Sequence, residues 1–464
     1  MTVGHGAHPE PAALECFLAA ARATVGDGEV VTDPDVTSAY VTDWTRRWRG
    51  TTSAVVRPAD TTEVAALVAA ARDHGVGLVP QGGNTGLVGG SVPHAGEVVL
   101  SLRRLDALGP VDLLAGQVTA GAGVTLAALQ AHAGAAGMAF GVDTGARDSA
   151  TVGGMVATNA GGTHVVRYGA MRAQVVGLEA VLGSGEVVAR LAGLVKDNTG
   201  YDLSQLLCGS EGTLAVVTRA RLRLVADEPH VVVGLLGLPT TGDAVALAAA
   251  LRRDVAEVRA LELMEGDSVR VVAEHLDARP PVTPDAGAFL LVEAAGRSDP
   301  TAALAAAIDR NAGGAPAAVA VDRAERERLW RWREAHPEAA AALGVVLKFD
   351  VTLPTAAIAD FCATVTDRLL AGWPGATTLL YGHVGDGNIH VNVVGPAADD
   401  EEVDDTVLDL AIERGGSISA EHGIGVAKRR WLERDRTPPE VAAMRAIKRA
   451  LDPDGVLNPG VLLP

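Results

Sequence analysis

The chain has 464 residues, a length that favours two or three domains over a single core. Its formal charge of −18 argues against a nucleic-acid backbone or an anionic membrane surface as partner. No apolar run reaches the ~18 residues of a membrane helix, and Met1–Pro11 lacks the basic and apolar regions of a secretory signal. Three cysteines, Cys16, Cys208 and Cys362, are widely spaced without a CxxC, which predicts reduced thiols and a cytoplasmic location.

The first half of the chain alternates predicted helices and strands with stretches rich in glycine. We also expect the polar, aromatic and basic segment Asp43–Arg49 to lie at the surface. Apolar periodicity and helix stop signals predict helices over Pro11–Val25, Thr61–His74 and Val124–Ala135, strands over Val76–Pro80, Val98–Leu102, Gly116–Gly123 and Ala215–Val225, and a hairpin over Val175–Val188.

Five glycines lie within the nine residues from Gly82 to Gly90. This density exceeds what a turn requires, and it would let backbone N–H groups close on phosphate oxygens. The loop is neither GxxxxGK[ST] nor a GxGxxG that opens a helix, which argues against nucleotide hydrolysis and a Rossmann site. A diphosphate held by backbone alone fits a tightly bound dinucleotide such as FAD. A second stretch of small residues, Thr151–Gly162, fits the approach of a flat ring and tight helix–strand packing equally well.

The pattern changes near Asp227, after which strands and helices alternate. This alternation predicts an antiparallel sheet with helices on one face, an α+β cap. The expected strands are His230–Leu238, Val258–Met264, Ala288–Ala294, Ala317–Val321 and Val345–Val351; the expected helices are Asp243–Asp254, one from Asp267, Pro300–Asn311, Arg323–Glu334 with its end disturbed by Pro337, Ala356–Ala371, Glu401–Arg414 and Glu440–Leu451; and Pro280–Pro284 is an expected surface loop.

The segment Tyr381–Asn392 holds two histidines around a glycine-rich turn. Its apolar flanks predict a hairpin that brings His383, at the end of one strand, near His390, at the start of the next. Two neutral imidazoles together suit a divalent transition metal, and Glu421 and His422 offer a further ligand downstream. The alternative is a hairpin whose histidines only hydrogen-bond to backbone.

Seven motifs, spread over nearly the whole chain, together resemble one family. They are PQGGNTGLVGGSVP (80–93), GGMVATNAGG (153–162), KDNTGYDL (196–203), GSEGTL (209–214), GHVGDGNIHVN (382–392), SAEHGIG (419–425) and LNPG (457–460). In this combination they resemble the FAD-dependent D-2-hydroxyacid dehydrogenases of the vanillyl-alcohol oxidase / p-cresol methylhydroxylase superfamily, and among these the D-2-hydroxyglutarate dehydrogenases. The resemblance implies an α+β protein with a two-subdomain FAD-binding domain (1–226), a cap domain with an antiparallel sheet (227–420) and a C-terminal segment that returns to the flavin (421–464).

The resemblance implies residues that bind FAD. Many superfamily members link the flavin covalently through a histidine in the first loop, where this chain has Asn84, so we expect dissociable FAD. We expect His94, just beyond the loop, at the surface. The implied cofactor-binding residues are Pro80, Gly82, Gly83, Asn84, Thr85, Gly86, Gly89 and Ser91 around the diphosphate, Ser149, Gly153, Gly154, Asn159, Gly161, Gly162, Tyr168 and Gly169 along the flavin and ribityl chain, Glu211 and Gly212 on the adenine side, and Asn458 near the isoalloxazine.

The resemblance also implies a metal site and a base. A divalent metal, Zn²⁺ with Mn²⁺ as the alternative, would be held by His383, His390 and Glu421, and His422 would be the catalytic base. A metal that chelates the substrate hydroxyl and carboxylate lowers the pKa of the alcohol, and an imidazole can accept its proton near neutral pH.

The far end of the substrate would contact Arg333, Lys348 and Asn392. Arg suits a planar carboxylate because it can bind it in bidentate fashion. The family has a threonine one turn after the arginine, and this chain has Pro337 there. The residues expected to bind a dicarboxylate substrate therefore match those of the family incompletely.

We therefore expect oxidation of a D-2-hydroxy acid, D-2-hydroxyglutarate in the first place, to the 2-oxo acid, with hydride passing from C2 to flavin N5. D-lactate or another D-2-hydroxy monocarboxylate is the alternative substrate. A metal-dependent hydrolase and a non-catalytic dinucleotide- or metal-binding protein are alternatives from other classes. Electron-transfer flavoprotein, a quinone or a similar carrier would accept the electrons, and the sequence leaves a homodimer open.

Overall fold

A computed structural model describes residues 10–283 and 285–464. Two expectations fall partly outside the described residues. One is the absence of a secretory signal over Met1–Pro11, and the other is the surface loop Pro280–Pro284, whose last residue is not described. The chain forms two compact units. The first comprises the chain through Gly161 together with 169–226 and 421–464, and the second comprises 162–168 and 227–420.

The helices and strands, in chain order, have the following bounds. The helices are α1 (Pro11–Val25), α2 (Pro34–Thr37), α3 (Thr61–His74), α4 (Leu126–Ala135), α5 (Val152–Thr158), α6 (Val165–Tyr168), α7 (Met171–Gln174), α8 (Leu203–Leu207), α9 (Thr241–Asp254), α10 (Gly266–Leu276), α11 (Thr301–Ala312), α12 (Arg323–Glu334), α13 (His336–Leu343), α14 (Ile358–Gly372), α15 (Glu401–Glu413), α16 (Leu432–Asp435) and α17 (Pro438–Leu451). The strands are β1 (Val30–Val31), β2 (Val55–Val56), β3 (Leu78–Gln81), β4 (Val98–Ser101), β5 (Gln117–Gly121), β6 (Met138–Ala139), β7 (Val175–Leu182), β8 (Val187–Ala189), β9 (Ala215–Arg223), β10 (Val225–Ala226), β11 (His230–Leu238), β12 (Val258–Glu265), β13 (Ala288–Gly296), β14 (Ala317–Ala320), β15 (Val346–Thr352), β16 (Thr377–His383) and β17 (Asn388–Val394).

The first unit contains two four-stranded sheets. One has the order β1-β2-β4-β3 with β2, β4 and β3 parallel, and its core is shared with α1 and α3. The other, β5-β9-β7-β8, is antiparallel and packs against α4 and α5. The predicted bounds of α1 and α3 are confirmed. Local caps explain this for α3, since the Asp60 side chain accepts from the Glu63 amide at its start and Gly75 adopts φ +63° at its end.

The second unit is built on a seven-stranded sheet, β14-β11-β13-β12-β16-β17-β15, in which all the ladders are antiparallel. The predicted antiparallel cap sheet is confirmed. Every residue of strand β13 is buried, so both faces of this strand are covered. The continuous apolar pattern of this strand, rather than an alternating one, is the signal for such burial.

Three local expectations need correction. Pro337 does not simply end α12: it occupies the first turn of a separate helix, α13, where its missing N–H costs nothing. The segment Asp43–Arg49 is not wholly at the surface, because Trp48 is buried against Gly89, where a Cβ would lie 2.8 Å from the indole. His94 is half-buried, with Nε2 2.9 Å from the Gly89 carbonyl oxygen.

Among the described residues, no helix combines the length and the apolar character needed to cross a bilayer.

Candidate active site

The glycine-rich loop follows β3 in the first unit and adopts left-handed φ at Asn84 (+55°) and Gly89 (+72°). Within the described part of the chain, the backbone amides of residues 82–88 have no hydrogen-bond acceptor. Most of this loop is only partly buried. A row of uncommitted N–H groups is an anion-binding nest, so the loop fits the diphosphate of FAD by backbone contacts.

Two of the loop glycines allow close packing against another predicted flavin segment. A Cβ at Gly82 would lie 2.2 Å from Thr151 Oγ1, and one at Gly83 would lie 1.9 Å from the Ser149 carbonyl oxygen. In contrast, a Cβ at Gly86 would meet nothing within 4 Å. The structure therefore brings the loop and residues 149–151 together, while the loop around Gly86 stays open.

The polar side chains of the loop brace it. Asn84 donates through Nδ2 to the Thr42 carbonyl oxygen (2.9 Å) and accepts from Ser91 Oγ (2.8 Å). Both side chains thus hold the loop conformation, and the backbone is its anion-binding part.

The small-residue stretch after Thr151 serves helix packing at Gly153, where a Cβ would lie 2.6 Å from the Ala122 Cβ. Asn159 ends α5 with φ +50°, and its Oδ1 accepts from the Arg172 amide at 2.8 Å. Gly161 and Gly169 lie in the first unit, whereas Gly162 and Tyr168 lie in the second.

Tyr168 is tied to its own unit. Its hydroxyl donates to Glu228 Oε2 at 2.6 Å, and Arg167 forms an ion pair with the same carboxylate. Burial, reinforced by the bond to Glu228, raises the pKa of Tyr168 to about 12. This phenol is therefore neutral across the physiological range.

The predicted adenine-side and C-terminal residues form one cluster in the first unit. The Asn458 Nδ2 donates to the carbonyl oxygens of Gly90 (2.8 Å) and Glu211 (2.7 Å). The Glu211 carboxylate accepts from the amides of Ile424 and Gly425, both at 2.8 Å. Burial raises the pKa of Glu211, although the two amides act in the opposite direction. The cluster joins the end of the glycine-rich loop to the segment that follows His422.

The histidine motif forms the hairpin β16–β17 in the second unit. The rings of His383 and His390 lie 5.3 Å apart between centroids. Gly387 adopts φ +88° in the turn, and a Cβ there would lie 2.4 Å from the Leu353 carbonyl oxygen. The hairpin thus brings the two imidazoles together as the spacing predicts.

Each histidine has a buried carboxylate at its Nδ1 atom. Glu262 Oε1 lies 2.6 Å from Nδ1 of His383, and Asp350 Oδ1 lies 3.5 Å from Nδ1 of His390. Both carboxylate side chains are fully buried. A carboxylate hydrogen-bonded to one ring nitrogen, as at His383, fixes the tautomer and orients the other nitrogen, the arrangement typical of metal-ligating histidines. The pair therefore fits a divalent metal bound through Nε2.

Arg333 reaches the same region from α12. Its Nε donates to Glu262 Oε2 at 2.6 Å, and its guanidinium lies 4.6 Å above the ring centroid of Tyr381. Burial by itself raises the pKa of Glu262, but the charges of His383 and Arg333 lower it below its ordinary value. Arg333 is buried, so its guanidinium is held rigidly beside the histidine pair.

Lys348 and Asn392 face each other across the β15–β17 ladder. Lys348 is half-buried, and burial lowers its pKa. Asn392 donates through Nδ2 to the Tyr381 hydroxyl at 2.9 Å. Side chains two residues apart on a strand share a face, so Lys348 and Asn392 lie on the sheet face that carries Asp350 and His390.

Sequence reasoning missed four polar residues of this cluster: Glu262, Asp350, Tyr381 and His336. Asp350 follows Lys348 by two residues and Tyr381 precedes His383 by two, a spacing that could have placed them on the same face. His336 has no comparable signal. It is fully buried with its ring 4.6 Å from that of Tyr381, and burial, together with the charge of Arg333, lowers its pKa to about 3.

Glu421 and His422 begin the returning segment of the first unit. They follow Ala420, whose amide donates to Asp350 Oδ2 at 3.1 Å. Gly423 adopts φ +80°, a conformation that glycine takes without steric cost and that bends the chain directly after His422. Both side chains are half-buried.

Comparison with known proteins identifies the class. Residues 52–189 match the FAD binding domain family, and residues 228–462 match the C-terminal domain of FAD linked oxidases. p-Cresol methylhydroxylase with bound substrate superimposes with a TM-score of 0.74 at 16% identity, covering 98% of each chain. The fold is therefore that of this flavoprotein superfamily, and the chain is an FAD-dependent oxidoreductase.

Similarity to named proteins identifies the family within the FAD-dependent oxidoreductases. D-2-hydroxyglutarate dehydrogenase of Xanthomonas citri pv. viticola is 39% identical over 93% of both chains. The probable mitochondrial D-2-hydroxyglutarate dehydrogenase of Oryza sativa subsp. japonica is 35% identical over 96% of this chain and 81% of its own length. The chain belongs to the FAD-dependent D-2-hydroxyacid dehydrogenases of the vanillyl-alcohol oxidase / p-cresol methylhydroxylase superfamily. The hydrolase and non-catalytic alternatives are therefore wrong.

The purified protein is expected to be yellow, and acid precipitation is expected to release its flavin into the supernatant. The physical reason is that Asn84 offers no nucleophile for a covalent bond to the flavin, and its side chain is already bonded to Thr42 and Ser91. The absorbance of supernatant and pellet at the flavin bands measures the partition. Flavin retained in the pellet would contradict the prediction.

Proposed function

We propose that this protein oxidises D-2-hydroxyglutarate to the 2-oxo acid and depends on a divalent metal as well as on FAD. The observation that carries the proposal is the buried guanidinium of Arg333 on the sheet face of the paired histidines. Its Nε edge is engaged by Glu262, so its opposite edge is oriented for a planar carboxylate. Lys348 on the same unit adds a second cation for the far end of a dicarboxylate.

The oxidation breaks two bonds to hydrogen. The hydroxyl proton passes to His422, and a hydride leaves C2 as the C=O bond forms. FAD, when bound, supplies the hydride acceptor. A metal held by His383, His390 and Glu421 would supply Lewis acidity at the substrate hydroxyl and carboxylate, with Zn²⁺ the metal best suited to these ligands.

Contacts within the second unit support the proposed assignment of metal-binding and substrate-binding residues. Glu262 contacts both His383 and Arg333, so one buried carboxylate fixes a proposed metal ligand and a proposed substrate-binding residue. Asp350 likewise contacts His390 and the Ala420 amide, directly before Glu421. Glu262 and Asp350 therefore orient the proposed metal ligands His383 and His390. Glu262 also holds Arg333, the residue proposed for the distal carboxylate of the substrate.

A D-2-hydroxy monocarboxylate such as D-lactate is the second candidate substrate. The observation that favours it is Pro337, which starts α13 where the family has a threonine, and which offers no hydroxyl for a distal carboxylate. The electron acceptor proposed for either substrate is electron-transfer flavoprotein, a quinone or a similar carrier.

A panel of D-2-hydroxy acids tests the proposal. D-2-hydroxyglutarate is expected to bleach the flavin of the wild-type protein and to support turnover with an artificial dye acceptor at a lower KM than D-lactate. Lys348→Met is expected to raise the KM for D-2-hydroxyglutarate by about 10- to 100-fold, since a hydrogen bond to a charged group contributes about 1.5–3 kcal/mol. The KM for D-lactate, which has no distal carboxylate, is expected to stay unchanged.

If the wild-type protein instead turns over D-lactate at the lower KM, the monocarboxylate alternative is correct. An equal rise in both KM values for Lys348→Met would mean that the lysine does not contact the distal carboxylate.

A further inference from the structure

Glu211 lies in the turn between α8 and β9, and its carboxylate is directed at the backbone of another part of the first unit. Oε1 accepts from the Ile424 amide and Oε2 from the Gly425 amide, each at 2.8 Å. These amides belong to the turn that directly follows His422. The side chain is buried, so water does not compete for the two bonds.

The turn and the carboxylate fit each other closely. Gly423 adopts φ +80°, and a Cβ there would lie 2.8 Å from Glu211 Oε1. Glu211 itself adopts φ +52°, a conformation that residues other than glycine rarely adopt. Its amide donates to the Ala157 carbonyl oxygen at 2.7 Å and its carbonyl oxygen accepts from Asn458, which hold it in this conformation.

The segment after His422 is held from a second side by the end of the glycine-rich loop. The amides of Val426 (3.0 Å) and Ala427 (3.2 Å) both donate to the Val88 carbonyl oxygen, and the Gly425 carbonyl oxygen accepts from the Leu462 amide at 2.9 Å. Residues 424–427 are therefore fixed by four backbone amides of their own, two of them bonded to one carboxylate.

We propose that Glu211 is a positioning residue for the reaction, acting through the turn 423–425 to fix the His422 side chain. Hydrogen bonds from amides to a carboxylate are charge-assisted and stronger than neutral ones. A displacement of about 1 Å in a catalytic group can cost about 10²-fold in rate. The proposal rests on the proposed role of His422 as base, and it assigns the carboxylate to the protein backbone rather than to the adenine of FAD.

The test uses the FAD-loaded full-length variant Glu211→Gln, in which an amide N–H₂ replaces one of the two acceptor oxygens. The rate of flavin reduction at saturating substrate is expected to fall about 10- to 100-fold, while KM and the flavin content per protein stay at wild-type values. Hydrogen–deuterium exchange at the amides of Ile424 and Gly425 is expected to become faster. A merely structural role would not separate kcat from KM in this way.

Glu179→Gln is the matched control. Glu179 lies in the same unit, and its carboxylate accepts from the hydroxyls of Thr61 and Thr218 without a hydrogen bond to the turn at 423–425 in the described part of the chain. This variant is expected to reduce its flavin at the wild-type rate and to leave exchange at Ile424 and Gly425 unchanged.

Three outcomes would overturn the proposal. The first is wild-type flavin reduction by Glu211→Gln. The second is loss of FAD in proportion to the loss of rate, which would make Glu211 a cofactor-binding residue. The third needs no variant: exchange of the Ile424 and Gly425 amides in the wild-type holoenzyme as fast as in an open loop. If no D-2-hydroxy acid bleaches the wild-type flavin, the proposed function fails instead, and the exchange measurement still tests the contact.

Discussion

His422→Ala is expected to retain FAD and metal and to lose flavin reduction by about 10²–10⁴-fold, the usual contribution of a general base. The imidazole of His422 is the group proposed to accept the substrate hydroxyl proton, and alanine cannot replace it. The neighbouring variant Glu421→Ala is expected to lose metal affinity instead. Adjacent side chains in an extended backbone point to opposite sides, so Glu421 and His422 cannot simply replace each other. The positive φ of Gly423 permits the bend by which His422 would be directed toward the substrate hydroxyl.

Metal content by elemental analysis and single-turnover flavin bleaching, measured on both variants, separate the two roles. His74→Ala, at the last turn of α3, is the control for the loss of an imidazole and is expected to behave as wild type. If His422→Ala loses its metal, His422 is a ligand and the base lies elsewhere. If it bleaches at the wild-type rate, the proton leaves without its help.

Removal of the metal by a chelator is expected to abolish turnover while FAD stays bound. The proposed ligands His383 and His390 lie in the second unit, whereas the uncommitted amides that suit the diphosphate belong to residues 82–88 of the first. Loss of the metal removes the Lewis acid at the substrate oxygen and leaves the loop contacts intact. Turnover with a dye acceptor and the flavin spectrum, before and after chelation and after return of Zn²⁺ or Mn²⁺, measure the effect.

His390→Ala is expected to reproduce the effect of chelation, because a site with one imidazole fewer binds metal more weakly. His275→Ala is the control in the same unit, since the imidazole of His275 lies on α10 within 3.8 Å of Glu338. Full activity in metal-free protein would contradict the metal proposal and would mean that His383 and His390 have a structural role.

The sequence predicted many secondary-structure elements correctly, because their determinants are local. The bounds of α1, α3 and β11 were predicted to the residue. The predicted start of α17 at Glu440 was late by two residues, since Pro438 fits the first helical turn. The start of α13 was missed because Pro337 was interpreted only as a helix breaker.

The family and the FAD-binding loop were also predictable, since each is carried by a short motif whose glycines act through the backbone. The hairpin that brings the rings of His383 and His390 together depends on seven-residue spacing and a turn, which are local as well. The roles of Asn84 and Ser91 as braces of their own loop were not predictable, because their partners depend on how the loop folds back on residue 42.

By itself, the sequence determined the class of enzyme, the order of its motifs and the placement of two imidazoles in one hairpin. Only the tertiary structure decided which carboxylates face them. Glu262 lies 121 residues from His383 and 71 from Arg333 in the chain, and Glu211 lies 213 residues from Ile424. Such contacts depend on strand register and on the return of the C-terminal segment, which are set by burial of apolar surface across the whole unit rather than by any local pattern.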